Sequence, residues 1–154
     1  DMLEIHAMPG HLIRRLHQIS VSIFTERMAA AGHDLTPVQF AALSAIAAAP
    51  GIDQATLAGN IAYDRATIGG VADRLVAKGL VLRSIPAHDR RARALKLSPA
   101  GEAELDAVRP VVARVQGETL AGLSATERET FLALLLKATE AGNARSRAPL
   151  RMEV

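Results

Sequence analysis

Residues 64–99 read DRATIGGVADRLVAKGLVLRSIPAHDRRARALKLSP. Two periods meet in this stretch. From Ile68 to Val76 apolar residues recur at three- and four-residue spacing, which predicts a helix, with Asp64 as its N-cap and Gly79 as its stop. The period then changes. Leu80 to Ile85 is β-prone, and Ala92 to Leu97 alternates, with Leu95 and Leu97 on one face and Lys96 on the other. PAHDRR (86–91) lies between them, so two short strands make a hairpin with a polar, basic loop. Ser98-Pro99 then supplies the N-cap and first position of another helix.

Working outward, TPVQ (36–39) is a capping box with proline at the first helical position, and its helix should run to Pro50-Gly51. Asp53 caps a short helix, QATLAGNI, and Ala62-Tyr63 turn the chain into the helix at Asp64. Pro9-Gly10 opens a first helix on Leu12, Ile13, Leu16, Ile19, Ile23, Phe24 and Met28, closed by Gly32. The helix begun at Pro99 extends to about Leu120, and a second capping box, Ser124 to Glu127, launches a last helix to about Ala141. The tail ARSRAPLRMEV is expected to fray. The expected fold is mainly α with a small β-hairpin, and its middle is a helix-turn-helix followed by a β-wing.

Hydrophobic residues make up 49% of the 154 and aromatics only 3%, so the core is built from Ala, Leu, Val and Ile. The absence of cysteine excludes disulfides, thiolate metal sites and cysteine redox switches. No apolar run reaches bilayer length and no secretory signal pattern opens the chain, so a cytoplasmic protein is the expectation. Net charge is only +2, but its distribution is uneven. Residues 1–64 hold 3 Lys/Arg against 6 Asp/Glu, residues 65–98 hold 8 against 2, and residues 99–154 hold 7 against 8. A positive segment at the centre is the footprint expected for a polyanion partner.

Stepping about 100° per residue, Ile68, Val71, Ala72, Leu75 and Val76 share one apolar arc. The opposite arc carries Ala66, Gly70, Asp73 and Ala77, flanked by Thr67 and Arg74. A face that enters a groove of limited width wants small residues, although an ordinary solvated face can also be small. Arg65 falls near the core side of the first turn, where a cation opposes the helix dipole, so a carboxylate or a bound anion should compensate it. No nucleophile elbow, phosphate loop or HExxH occurs, which argues against an enzyme. His6, His11, His17, His33 and His88 lack the i,i+4 pairing of a helical metal site, so no metal and no cofactor are expected.

The run LVAKGLVLRSIPAHDRR, followed by Ala-Arg93-Ala-Leu95-Lys96-Leu97-Ser98, resembles the passage from recognition helix to wing in the MarR family of bacterial transcription regulators. Ser98 stands where the family usually has Thr. The close likeness covers residues 35–101. It implies a winged helix-turn-helix lobe over residues 35–98, and a helical dimerisation region made of 1–34 with 99–154. It also implies a homodimer on double-stranded DNA with a pseudo-palindromic operator, its recognition helices about 34 Å apart. In the wing, Asp89 would orient an arginine, Arg91 first of all, and Arg90 or Arg93 would approach the minor groove or its phosphates. Thr67, Gly70, Asp73 and Arg74 are the expected base readers. The wing arginines and Lys78 are expected on phosphate, with Thr56 near the backbone.

Members of the family commonly release DNA when a small aromatic anion binds. Arg15, His17 and Ser20 on the first helix, together with Arg65, are the expected site for an aromatic carboxylate or its thioester. The rival readings are a ligand-independent regulator and a winged-helix module for protein partners, which need not keep a basic wing tip.

Overall fold

The computed structural model describes residues 1–152. After a 3-10 turn at Glu4–Ala7, the chain forms α1 (Pro9–Ala30), α2 (Pro37–Ala48), β1 (Ile52–Asp53), α3 (Gln54–Asn60) and α4 (Arg65–Ala77). There follow β2 (Val81–Ser84), β3 (Ala94–Leu97), α5 (Pro99–Thr119) and α6 (Ala125–Gly142), then a 3-10 turn at Asn143–Arg145. Every helix start expected from a side-chain cap is built that way. Thr36 Oγ1 accepts from the Gln39 N–H at 3.2 Å while Gln39 Oε1 accepts from the Thr36 N–H at 3.2 Å. Asp53, Asp64, Ser98 and Ser124 accept from the third residue of their helices. Gly32, Gly51 and Gly79 turn the chain at positive φ.

The expected hairpin is the larger part of a three-stranded antiparallel sheet of order β1-β3-β2. β2 and β3 pair Val81 with Leu97 and Arg83 with Leu95, and β1 adds Ile52 opposite Leu95. Two residues are too few to show alternation, which is why β1 does not stand out in the sequence. β1 fixes the start of α3 against the wing base.

Leu43, Ile46, Leu57, Ile68, Leu75, Val81 and Leu95 form the centre of the core, joined by Phe24 and Met28 of α1 and by Leu105, Val108 and Val115 of α5. Ser98 locks the wing to α5. Its hydroxyl donates to the Gly79 carbonyl at 2.6 Å and accepts from the Gly101 N–H at 3.0 Å, and its N–H donates to the Leu80 carbonyl at 3.0 Å. Gly101 permits this contact, because a Cβ there would lie 2.0 Å from the Leu80 carbonyl oxygen. α1 is held to α5 by the Arg27 guanidinium, which meets both oxygens of Glu118 at 2.9 Å.

α6 is different. None of its side chains is buried, and Leu134 and Leu136 keep 60% and 59% of their surface. Ile13 on α1 keeps 62%.

The tail contradicts the expectation of fraying. Asn143 clamps it, Nδ2 donating to the Leu150 carbonyl and Oδ1 accepting from the Leu150 N–H, both at 2.9 Å. The Arg151 N–H then donates to the Gly59 carbonyl of α3 at 2.8 Å. The last two residues of the stretch, Glu153 and Val154, lie outside the described residues.

Candidate nucleic-acid interface

α4 buries Ile68, Val71, Ala72 and Leu75, the arc expected to face the core. Ala66, Thr67, Asp73, Arg74 and Ala77 are exposed, and Gly70 is half-buried. A Cβ on Gly70 would lie 3.9 Å from a terminal nitrogen of Arg74, so the guanidinium folds back over the glycine. Thr67 does double duty. Its N–H and its hydroxyl both donate to the Asp64 carboxylate at 2.8 Å, which leaves its oxygen lone pairs and methyl for a partner. These two bonds, N–H first, hold the Asp64 carboxyl below its ordinary value of 3.8.

Asp73 is not free for a base edge. The Arg83 guanidinium of β2 pairs with it at 2.7 Å and reaches Gln54 Oε1 of α3 at 3.5 Å. Arg83 therefore joins the wing strand to both helices of the helix-turn-helix. Arg83 is not among the site residues expected from the sequence, and Gln54 falls in the Asp53–Thr56 stretch expected near phosphate. An arginine in an apolar strand was the available signal, but the strand period does not say which helix it meets.

The wing departs from expectation in how its charges are arranged. Asp89 accepts from the backbone N–H of Arg91 at 2.9 Å and forms no ion pair with an arginine side chain among the described residues. It shapes the turn instead of orienting a guanidinium. Arg93, half-buried, donates to the carbonyls of Arg90 at 3.2 Å and Ala92 at 2.9 Å, so it braces the wing from within. Arg90 and Arg91 are exposed, and among the described residues their guanidinium groups have no acceptor. Those two are the tip of the finger.

Between the wing and the start of the helix-turn-helix lies a cleft of about 610 Å³ that brings together Arg65, His88, Arg91 and Arg93 with Asp53 and Asp89. Arg65 is exposed and makes no ion pair with a carboxylate among the described residues. Thr56 donates its N–H to one oxygen of Asp53 at 2.8 Å and its hydroxyl to the other at 2.6 Å. Burial pushes the Asp53 carboxyl up, but the bonds from the Thr56 hydroxyl and from the Thr56 and Ala55 N–H groups prevail and hold it low. Lys78 corrects another expectation. Its ammonium donates to the Asp34 carbonyl and to Gln39 Oε1 at 3.2 Å, with the Asp34 carboxylate at 3.5 Å, so it staples the end of α4 to the start of α2.

The expected effector residues are not one cluster. His17 and Ser20 line a cleft of about 690 Å³ between α1, the end of α5 and α6, walled by Leu16, Leu120, Phe131 and Leu135. The Ser20 hydroxyl makes no hydrogen bond among the described residues, so the backbone carbonyl one turn back does not satisfy it. Arg15 lines a separate, smaller groove with Gln18 and Ser22, and Arg65 lies at the wing cleft. The cation in the large cleft is Arg128 of α6, whose Nε donates to the Leu123 carbonyl at 3.2 Å. It sits 111 positions from His17, a distance that no local pattern bridges.

The MarR family model matches residues 33–92, which span the end of the α1 turn to the wing. The chain is 37% identical over 128 residues to the transcriptional repressor NicR of Pseudomonas putida, covering 83% of this chain and 80% of that protein. Among solved structures it is similar to BpsR of Bordetella bronchiseptica, whose DNA binding is regulated by 6-hydroxynicotinic acid, at 30% identity and a TM-score of 0.82 over 90% of this chain and 98% of that one. It is similar also to the repressor CouR bound to a 23-mer DNA duplex, at 27% identity and a TM-score of 0.82 over 90% and 97%. No helix among the described residues is long and apolar enough to cross a membrane. MarR regulators are dimers, and the bare apolar faces of α1 and α6 agree with that. An exposed small-residue helix face, two exposed arginines at a wing tip and relatives of this kind converge: the chain belongs to the MarR family of DNA-binding transcription regulators and is not an enzyme.

Proposed function

We propose that the chain is a homodimeric repressor, working in the cytoplasm, that holds a pseudo-palindromic operator and releases it when a small aromatic carboxylate, or the thioester of one, binds beside α1. Residues 35–98 form the DNA-binding lobe, and residues 1–34 with 99–154 form the dimerisation region. In each lobe α4 enters the major groove with Thr67, Gly70 and Arg74 toward base edges. Asp73 keeps its place there as the holder of Arg83. Arg90 and Arg91 approach the minor groove or its phosphates, Asp89 and Arg93 keep the wing in shape, and Thr56 lies close to the backbone. The observation that carries this reading is the pair of exposed guanidinium groups at the wing tip that have no partner among the described residues.

The effector half rests on the cleft at His17, Ser20 and Arg128. Apolar walls with a few convergent polar groups suit a flat aromatic acid. Arg128 would take the carboxylate, and Ser20 and His17 would set the ring's orientation. The cleft is bounded by α5, which runs without a break from the wing lock at Ser98. Filling it would move α6 and α1 against α5 and so alter the spacing of the two α4 helices. BpsR makes 6-hydroxynicotinic acid the first compound to test. Titrating it against an operator complex should release DNA from wild type, and Arg128→Ala should need at least tenfold more, about 1.4 kcal/mol of lost binding. Release that is unaffected by Arg128→Ala but abolished by Arg15→Ala would move the site to the smaller groove. No release by any aromatic acid would make the protein a ligand-independent regulator.

A further inference from the structure

The C-terminal tail docks on α3, next to the turn that introduces the recognition helix α4. Residues 143–154 carry three arginines and one acidic residue, Glu153. The Asn143 clamp closes the tail into a loop, Ser146 Oγ accepts from the Ala148 N–H at 3.1 Å, and the Arg151 N–H is bonded to the Gly59 carbonyl at 2.8 Å. Gly59 gives the tail its seat. A Cβ there would stand 3.2 Å from the Arg151 Cβ and 3.4 Å from the Arg151 carbonyl oxygen.

The result is a recess of about 260 Å³ lined by Thr56, Tyr63, Asp64, Arg65, Arg147 and Arg151. Three exposed arginines line it. None has a carboxylate within ion-pair distance among the described residues. Among the described residues the one carboxylate lining the recess is Asp64, and it is occupied by the N–H and hydroxyl of Thr67. Arg147 is near enough to add, after those two bonds, to the lowering of the Asp64 pKa. Among the described residues, three arginines around one engaged carboxylate leave an excess of positive charge that an anion would neutralise. The recess lies between α3 and the first turn of α4. In a helix-turn-helix the first helix crosses the DNA backbone while the second lies in the groove, so a phosphate runs past this turn.

We infer that the tail is a working part of the DNA-binding surface: Arg147 and Arg151, with Arg65, form a phosphate seat at the helix-turn-helix turn, one per chain and two per dimer. This rests on the operator reading above. It also explains why Arg65 stands at the start of a helix with no carboxylate partner among the described residues: the compensating anion is the DNA.

The test measures affinity for operator and for random duplex across a salt series. It compares wild type, Arg147→Ala/Arg151→Ala, the charge-preserving Arg147→Lys/Arg151→Lys, and the wing pair Arg90→Ala/Arg91→Ala. The tail alanine pair should weaken both duplexes by the same factor, about tenfold at 0.1 M salt, and should lower the slope of log affinity against log salt by about 2, one for each phosphate released. The lysine pair should stay within about twofold of wild type, since a point charge still meets phosphate. The alanine changes leave the backbone bond to Gly59 in place, and unchanged thermal unfolding would show that the fold survives. Should the tail pair bind as wild type while the wing pair loses affinity, the tail inference fails and the operator reading stands. Lost affinity with an unchanged salt slope also overturns it, because the tail would then only prop the turn. Inorganic phosphate held by the recess without any tail effect on DNA affinity overturns it as well. If neither pair matters, the operator reading is the one that fails.

Discussion

In the DNA-binding lobe Ile46, Ile68, Leu75 and Leu95 are buried to 1% exposure or less, whereas along α6 nothing is buried and Leu134 and Leu136 stay about 60% exposed. The two regions belong to one chain and use the same aliphatic palette. The lobe closes on itself: helices α2, α3 and α4 each start at a side-chain cap, Ser98 ties the wing to α5, and Arg83 ties β2 to α3 and α4. The arm does not. Leu134, Phe131, Leu135, Leu132 and Leu136 spread over an arc of about 200°, wider than one neighbouring helix covers. Local chemistry completes the lobe; in the dimer proposed above, a second copy of the chain completes the arm.

That contrast can be broken at its strongest point first. Gly101→Ala would place a methyl 2.0 Å from the Leu80 carbonyl oxygen, a backbone atom that cannot step aside without moving the wing. We expect a loss of about 3 kcal/mol or more in denaturant unfolding, at the upper end for overpacked sites. A loss within experimental error would mean the Ser98 lock is not a fixed point of the lobe. Leu134→Glu/Leu136→Glu should act on the arm alone. Sedimentation should show the dimer dissociation constant raised about a hundredfold, about 2.7 kcal/mol, with lobe secondary structure unchanged by circular dichroism. An intact dimer would show that these leucines face solvent after all.

Smaller effects sharpen the comparison. Thr36→Ala removes the acceptor of the α2 capping box and should cost about 1 kcal/mol in unfolding, with no change in oligomeric state. Acid should act on the caps as a group. The carboxyls of Asp53, Asp64 and Glu127 are held below their ordinary values in the fold. A depressed folded pKa gives stability that is complete above the unfolded value and lost as pH falls through the folded one. The thermal midpoint should therefore be flat from neutral pH down to about 5 and decline below about 4. A midpoint that rose on acidification over that window would contradict the role given to these caps.

Much of the lobe was legible because its determinants are local. Caps lie three residues from their partners, the helical arc of α4 repeats within one element, and glycine stops announce positive φ. The resemblance at the wing gave the rest of the topology. What was not legible depends on tertiary direction. Periodicity put Asp73 on the exposed face of α4 but could not show Arg83 coming across from β2. Counting arginines in the wing could not show that Arg93 turns inward to two carbonyls while Arg90 and Arg91 stay out. Lys78 looked like a phosphate contact because its acceptors, Asp34 and Gln39, lie about 40 positions earlier. Arg128 and the tail arginines reach their sites only through the return of α6. A basic, proline-containing terminus reads as frayed until Gly59 is seen to receive it.

The central claim is that the free charge at the wing tip holds DNA. Its most direct test is binding to the promoter DNA flanking the protein's own coding region, across a salt series, with wild type and Arg90→Ala/Arg91→Ala. We expect tight binding that falls steeply with salt, and a variant with weaker binding and a slope shallower by about 2 for the two wings of the dimer. Wild-type binding no better than to random duplex, with the variant indistinguishable from it, would contradict the account and turn this winged helix toward a protein partner.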